Sequence, residues 1–357
     1  MHGPVSQLSL RLLRWYRRVR RDLPWRVRIG DSSLPDPYHV LVSETMLQQT
    51  QVATVVPYFL RFTEKFPTIA ALARADEQDV LRLWQGLGYY SRARNLHAAA
   101  KRIVAEHGGV VPSDPDALLD LPGVGRYTAG AIASLAFDIR APILDGNVAR
   151  VLCRLDHVDS DPREKVTTQY LWRRAGEILP KKNCGDFNSA LMELGATVCT
   201  PRAPKCLLCP VRELCEAFAR GDQEKIPLPR NRKRTSMHRR VILAIRHRDR
   251  YLIEQRPAKG RWAGMWQFVT LDGDVHPQLH PRRHLKLPIS TPKHLAQITH
   301  ALTHRRYTFD VYTATLKRDG HAIAPRRWLT LAELEAYPLP RPHLKVAAML
   351  SARVART

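Results

Sequence analysis

Four cysteines spaced Cys199-x6-Cys206-x2-Cys209-x5-Cys215 constrain this chain more than any other feature. Four thiolates within 17 positions can surround one soft metal centre. Zinc and an iron–sulfur cluster both accept four cysteines. Zinc modules usually pair two short Cys-x2-Cys steps across a longer gap, whereas this run has one such step and wider strides, which suit a cubane cluster better. Cys153 and Cys184 lie apart from the run and read as ordinary buried thiols. The opening Met1-His2-Gly3-Pro4-Val5-Ser6-Gln7 lacks a charged start followed by an apolar run. No stretch reaches the ~18 apolar residues of a spanning helix, so no membrane association is expected. The expected setting is the reducing cytoplasm, where a disulfide framework is not expected.

Charge points to the partner. The formal net charge is +24 over 357 residues, and the excess is uneven. Residues 1–224 carry +5, residues 225–240 carry +7 and residues 241–357 carry +12. Such a field favours a polyanion, most often nucleic acid. Residues 5–220 show apolar positions at three- and four-residue intervals, as in Val40–Phe62, Ala70–Leu87 and Ala93–Ala105, with Pro and Gly between them. Ser113 before Pro115 and Asp116 reads as a helix start. The run Lys225–Arg234 is basic, holds two prolines and lacks periodicity, as a linker does. Beyond it the period becomes two. Arg240–Ile245 and Arg250–Glu254 suit adjacent strands across a turn at His247–Asp249, Arg306–Tyr312 alternates, and Leu331–Glu335 and His343–Ala352 look helical. The expected architecture is an all-α domain over 1–220, a basic linker over 221–237 and a smaller α/β domain over 238–357.

Two further patterns carry chemistry. Leu121-Pro122-Gly123-Val124-Gly125-Arg126-Tyr127 joins a short helix (Asp116–Leu119) to a second (Tyr127–Phe137). Glycines permit a sharp turn and close approach, and amides at a helix N-terminus suit a phosphate. The segment over 116–137 is a helix–hairpin–helix pattern that reads DNA backbone rather than sequence. Glu44 interrupts a mostly apolar helix, Leu41-Val42-Ser43-Glu44-Thr45-Met46-Leu47-Gln48-Gln49-Thr50, and Asp145 stands between apolar neighbours in Ile143-Leu144-Asp145-Gly146-Asn147-Val148. Two carboxyl groups in apolar settings can hold different protonation states, the division of labour that glycosidic cleavage uses. Asp145 equally suits a cap for the helix that follows it.

Together these residues resemble the helix–hairpin–helix DNA glycosylases, and most closely the adenine DNA glycosylase (MutY-type) family. Leu23-Pro24-Trp25-Arg26, Ser43–Thr50, Gly86-Leu87-Gly88-Tyr89-Tyr90-Ser91-Arg92, the hairpin, Leu144–Val148 and the four cysteines carry the resemblance densely over residues 8–220, and residues 238–350 follow that family's Nudix-related domain more loosely. The resemblance implies a monofunctional glycosylase that removes adenine mispaired with 8-oxoguanine or guanine in duplex DNA. It also implies a [4Fe–4S] cofactor on Cys199, Cys206, Cys209 and Cys215, monomeric action and association with the nucleoid through DNA. By the same likeness Glu44 is the general acid, Asp145 supports or traps the anomeric carbon, Tyr127 supports their network, and Asn147 and Arg26 orient catalytic groups and base. Trp25 belongs to the adenine pocket with Gln48 nearby, while Gln49 and Tyr89 enter the base stack. Gly123 and Gly125 meet the backbone.

Relatives resembling endonuclease III carry lysine at position 127, whose amine forms a Schiff base with the sugar; Tyr127 cannot. Enzymatic Nudix domains hold metal on a Glu-rich box, whereas Asp272–Ile289 offers only Asp272 and Asp274, so this domain reads as a lesion reader. Its candidate contact is Leu302-Thr303-His304, similar to the family's Phe-Ser-His loop, with Thr303 and His304 retaining the polar groups and Leu302 replacing the aromatic. Ser189 stands where a longer Glu or Gln is common in the family.

Overall fold

Local punctuation sets the helical part of the chain. Asp36 accepts from the Tyr38 and His39 amides, with Pro37 in the first turn, and starts α2 (Pro37–Leu47). Asp76 and Asp114 do the same for α5 (Glu77–Leu83) and α7 (Pro115–Leu119). Asp114, not Ser113, is the cap, because its carboxylate accepts from the Ala117 amide at 2.9 Å. The computed structural model describes residues 4–28, 31, 33–228, 235–273, 287–302, 305–317 and 325–354. The remaining helices of this part are α1 (Pro4–Val19), α3 (Val52–Lys65), α4 (Ile69–Arg74), α6 (Ser91–Glu106), α8 (Arg126–Phe137), α9 (Gly146–Leu155), α10 (Lys165–Ile178), α11 (Cys184–Thr197) and α12 (Glu216–Ala219). The apolar run Val40–Phe62 is thus two helices. A turn at Gln48–Gln51 divides them, and Gln49 adopts a left-handed φ of 58°.

By its contacts the chain falls into two units, residues 1–74 with 91–231, and residues 75–90 with 232–357. In the first, Leu12, Trp15 and Tyr16 of α1 share a core with Val151 and Leu152 of α9, Leu171 of α10 and Phe187 and Leu191 of α11. α9 and α11 approach so closely that a Cβ built on Gly195 would lie 2.7 Å from Asn147 Cβ. The hairpin turn between α7 and α8 is equally tight, since Gly123 has φ +76° and a Cβ there would lie 2.5 Å from Asn95 Cβ.

The second unit is built on a six-stranded mixed sheet, which matches the expected helical domain followed by an α/β domain. Its strands are β1 (Ser236–His247), β2 (Arg250–Gln255), β3 (Trp266–Asp272), β4 (Lys293–Leu302), β5 (Arg305–Thr315) and β6 (Arg326–Thr330), in the order β4-β5-β1-β3-β2-β6. β1 and β5 run parallel and the other pairs antiparallel. β1 and β2 are adjacent only beside their turn, at Arg246↔Tyr251 and His247↔Arg250; beyond it β3 pairs with both. Val241, Leu243, Ile245, Leu252 and Val269 form one buried layer. On the other face Phe268 and Phe309 meet His343 of α13 (Arg341–Val354). Glu333–Ala336 is a 3-10 turn rather than an α-helix. Residues 75–90, which the sequence reading keeps inside the helical domain, group with this unit because Trp266 Nε1 donates to Gln78 Oε1 at 3.1 Å and the Leu339 amide donates to Gln85 Oε1 at 3.1 Å. Most of the Asp272–Ile289 stretch lies outside the described residues. Among the described residues no helix is long and apolar enough to cross a membrane.

Gly195→Ala is expected to force α9 from α11 at Asn147. Thermal unfolding should report a loss of about 1–3 kcal/mol.

Candidate active site

One cleft in the first unit, about 1450 Å³ in volume, gathers Trp25, Arg26, Glu44, Tyr127, Asp145 and Asn147 along its walls. Glu44 is carried there by α2, whose residues from Val40 to Met46 are all buried, leaving its own side chain 5% exposed. Tyr127, in the first turn of α8, donates its hydroxyl to Glu44 Oε2 at 2.7 Å and lies 3.3 Å from Met192 Sδ. Burial pushes the Glu44 carboxyl up to about 7; the Tyr127 hydrogen bond and Arg26 pull it back, and the charge of Asp145 adds to the rise.

Asp145 both caps α9 and faces the cleft. Its Oδ1 accepts from the Val148 amide at 2.7 Å and its Oδ2 accepts from Asn147 Nδ2 at 3.2 Å. Burial raises its pKa, while the Val148 and Asn147 donors and Arg150 oppose that rise. The Asn147 amide is oriented in turn by Arg150, which donates to Asn147 Oδ1 at 2.8 Å and to the carbonyls of Gly195 at 2.7 Å and Cys199 at 2.8 Å. Two carboxyl groups from α2 and the head of α9 therefore share one cavity, with two amide donors on Asp145 and a phenol on Glu44.

Glu193 joins this wall, although the sequence reading gives it no role. It is 1% exposed and accepts from Arg21 Nε at 2.6 Å and Arg26 Nη2 at 3.0 Å. The two arginines hold its carboxyl below the usual range despite burial. An acid inside the otherwise apolar run Ala190–Leu194 is the signal that could have found it. Trp25 packs edge-on against Phe59 at 5.3 Å, and Gln48 Nε2 donates to Thr128 Oγ1 at 3.4 Å. Gln49 is exposed at the cleft, and Ser189 lines it. Tyr89, 44% exposed with φ 47°, belongs to the segment grouped with the second unit and is not among the lining residues. Gly123 and Gly125 stand exposed at the hairpin. Gly125 caps α8 without a side chain, so that helix presents bare amides there. Thr303 and His304 lie outside the described residues.

The four cysteines form no disulfide and stand on a loop of 3-10 turns, Cys206–Leu208 and Arg212–Leu214, ahead of α12. Arg154, one turn along α9 from Arg150, fastens this loop by donating to Cys199 Sγ at 3.2 Å, Thr200 O at 2.8 Å and Ile226 O at 2.8 Å. Burial, then the Cys199 sulfur, raise the Cys206 thiol; burial and the other three sulfurs also raise Cys209. Ionising all four therefore calls for a positive centre among them. Among the described residues no three His, Cys, Asp or Glu side chains are placed to hold a single metal ion; the donor chemistry, four thiols on one loop, is that of an iron–sulfur cluster rather than of one ion. Cys184 sits apart, its thiol donating to Pro180 O at 3.2 Å.

Residues 42–177 match the HhH-GPD superfamily of base excision DNA repair proteins, and residues 240–349 match a NUDIX domain. The solved structure of a thermostable thymine-DNA glycosylase is 30% identical with a TM-score of 0.53, covering 60% of this chain and 97% of its own. These define a helix–hairpin–helix base-excision enzyme. The adenine DNA glycosylase of Rattus norvegicus is 39% identical, with 92% of this chain and 75% of that protein aligned. That of Buchnera aphidicola subsp. Acyrthosiphon pisum is 32% identical over 94% of this chain and 95% of its own length. The chain belongs to the adenine DNA glycosylase family, hydrolases of N-glycosidic bonds.

Because the Tyr127 hydrogen bond favours ionised Glu44, Tyr127→Phe should raise the carboxyl further. If Glu44 is the group whose ionisation sets the high-pH limb of the excision rate, that limb should move upward by roughly one to two pH units. Single-turnover rates across pH check this.

Proposed function

We propose that this enzyme removes adenine mispaired with 8-oxoguanine, and with guanine, from duplex DNA, leaving an intact abasic strand. The observation that carries the reading is the convergence of Glu44 and Asp145 on one cleft with different hydrogen-bond partners, a phenol on Glu44 and two amide donors on Asp145. Glu44, held near neutrality by burial, arrives protonated and gives its proton to a ring nitrogen of the extruded adenine. The bond from that base to C1′ then breaks with its electron pair leaving on the adenine. Asp145, held by its Val148 and Asn147 donors, supports the cationic C1′ in its carboxylate form until water adds there and passes its proton to the Glu44 carboxylate. Tyr127 and Arg26 keep Glu44 placed and tempered. Trp25 walls the base, and Ser189 leaves room that a longer side chain would fill. No lysine is among the described residues lining the cleft, so the site offers no primary amine for an imine with the sugar.

The cysteines would hold a [4Fe–4S] cluster whose service is bracing. Once bound it supplies the positive centre that four sulfurs require and stiffens a loop bearing Arg202, Lys205 and Arg212 for the DNA backbone. The hairpin amides at Gly123 and Gly125 take a phosphate of the same duplex. The second unit reads the lesion through Thr303 and His304, a role supported by the sequence likeness alone. The reading has one enzyme molecule acting on one duplex.

The test uses labelled duplexes carrying A:8-oxoguanine, A:G or T:G, followed by alkali. Cleavage at adenine in the first two is expected, and Glu44→Gln or Asp145→Asn should lower the rate by roughly 10²–10⁴-fold. Excision of thymine, or strand scission before alkali with an enzyme–sugar adduct trapped by borohydride, would overturn the reading. Iron and acid-labile sulfide should be found in equal amounts in the purified protein, and zinc in their place would remove the cluster.

A further inference from the structure

The turn Gln48–Thr50 ends α2 four residues after Glu44 and brings Gln48, Gln49 and Thr50 to the cleft. Two features make it costly in isolation. The last carbonyls of α2 have no partner within the helix. Gln49 also stands in the left-handed region at φ 58°, which a side chain of this kind enters only where its surroundings over-determine it. One residue meets both demands. Arg92, in the first turn of α6 and 7% exposed, places Nη1 3.0 Å from Thr45 O, 2.8 Å from Met46 O and 2.6 Å from Gln48 O. Its Nη2 donates to Thr50 Oγ1 at 3.2 Å. A buried guanidinium thus faces the negative end of α2 and fastens the residues on both sides of Gln49. Three residues along α6, Asn95 packs beneath Gly123 of the hairpin. One helix therefore backs the turn at the cleft and the turn that exposes the hairpin amides.

We propose that Arg92 is a positioning residue for base extrusion: it holds the Gln48–Thr50 turn as a preformed wedge, so that Gln49 meets the stack already in its strained conformation. This rests on the reading of duplex DNA as substrate with Gln49 entering the stack. Without Arg92 the turn relaxes to an ordinary backbone conformation, and the ordering of the wedge falls on each binding event. The effect lies on extrusion rather than on adhesion to the duplex, because the hairpin amides and basic loops are untouched.

The test compares full-length chains in a Glu44→Gln background, so that extrusion is read without chemistry. The probe is a duplex with 2-aminopurine in place of the target adenine opposite 8-oxoguanine; its fluorescence rises on unstacking. Arg92→Met, which keeps length and loses every donor, should cut the fluorescence rise by roughly tenfold, with duplex Kd changed less than about threefold. Arg92→Lys, whose ammonium keeps three donors for three carbonyls, should restore most of it even if the Met chain folds poorly. A folded Arg92→Met chain that extrudes like its parent, or a folded Arg92→Lys chain that extrudes no better than Arg92→Met, overturns the proposal. Failure of the substrate reading shows separately, as absence of adenine release by the unaltered enzyme.

Discussion

A carboxyl group withdrawn from water governs this molecule. Glu44 is buried on a mostly apolar helix, and a phenol is the hydrogen-bond partner reaching its Oε2. In solvent the same group would be ionised at neutral pH and useless as an acid. Burial raises it to about 7, and the Tyr127 hydrogen bond with Arg26 keeps it from rising further. The neighbouring structure follows from holding that balance. Arg26 must stay close without pairing fully with Glu44, and Glu193 secures this by accepting from it at 3.0 Å on the far side.

α9 joins the chemistry to the cysteine loop. Its head carries Asp145, capped on its own amides; its body carries Arg150 and Arg154, which reach Cys199 by carbonyl and sulfur. Arg150 touches Asn147 as well, so the loop that would carry the cluster and the carboxylate that would meet the sugar share one rigid element. Gly195 permits the close packing of α11 that this arrangement needs.

Much of this was legible in the sequence, for identifiable reasons. Glu44 breaks an apolar pattern, and Asp145 precedes a helix with apolar neighbours, so each reads as either a cap or a reagent; Asp145 is a cap that also lines the cleft. The helical and α/β halves were visible as a change of period from 3.6 to 2. What stayed hidden depended on contacts distant along the chain. Insertion of β3 between β1 and β2 is set by pairings such as Leu243↔Val269 and Ile253↔Phe268, which no local period encodes. The break at Gln48–Gln51 lies inside an apolar run, and Arg92, 42 or more residues away, supplies the contacts that hold its turn. Glu193 looked like one more acid until Arg21 and Arg26 arrived from the far end of the unit.

Everything here depends on Glu44 titrating near neutrality in the folded enzyme rather than in the ordinary carboxylate range. The most direct measurement is an infrared difference titration of the protonated carboxyl band, unaltered chain minus Glu44→Gln. The band is expected to disappear with a midpoint near pH 7. A midpoint in the ordinary carboxylate range, with no band left at neutral pH, would contradict it.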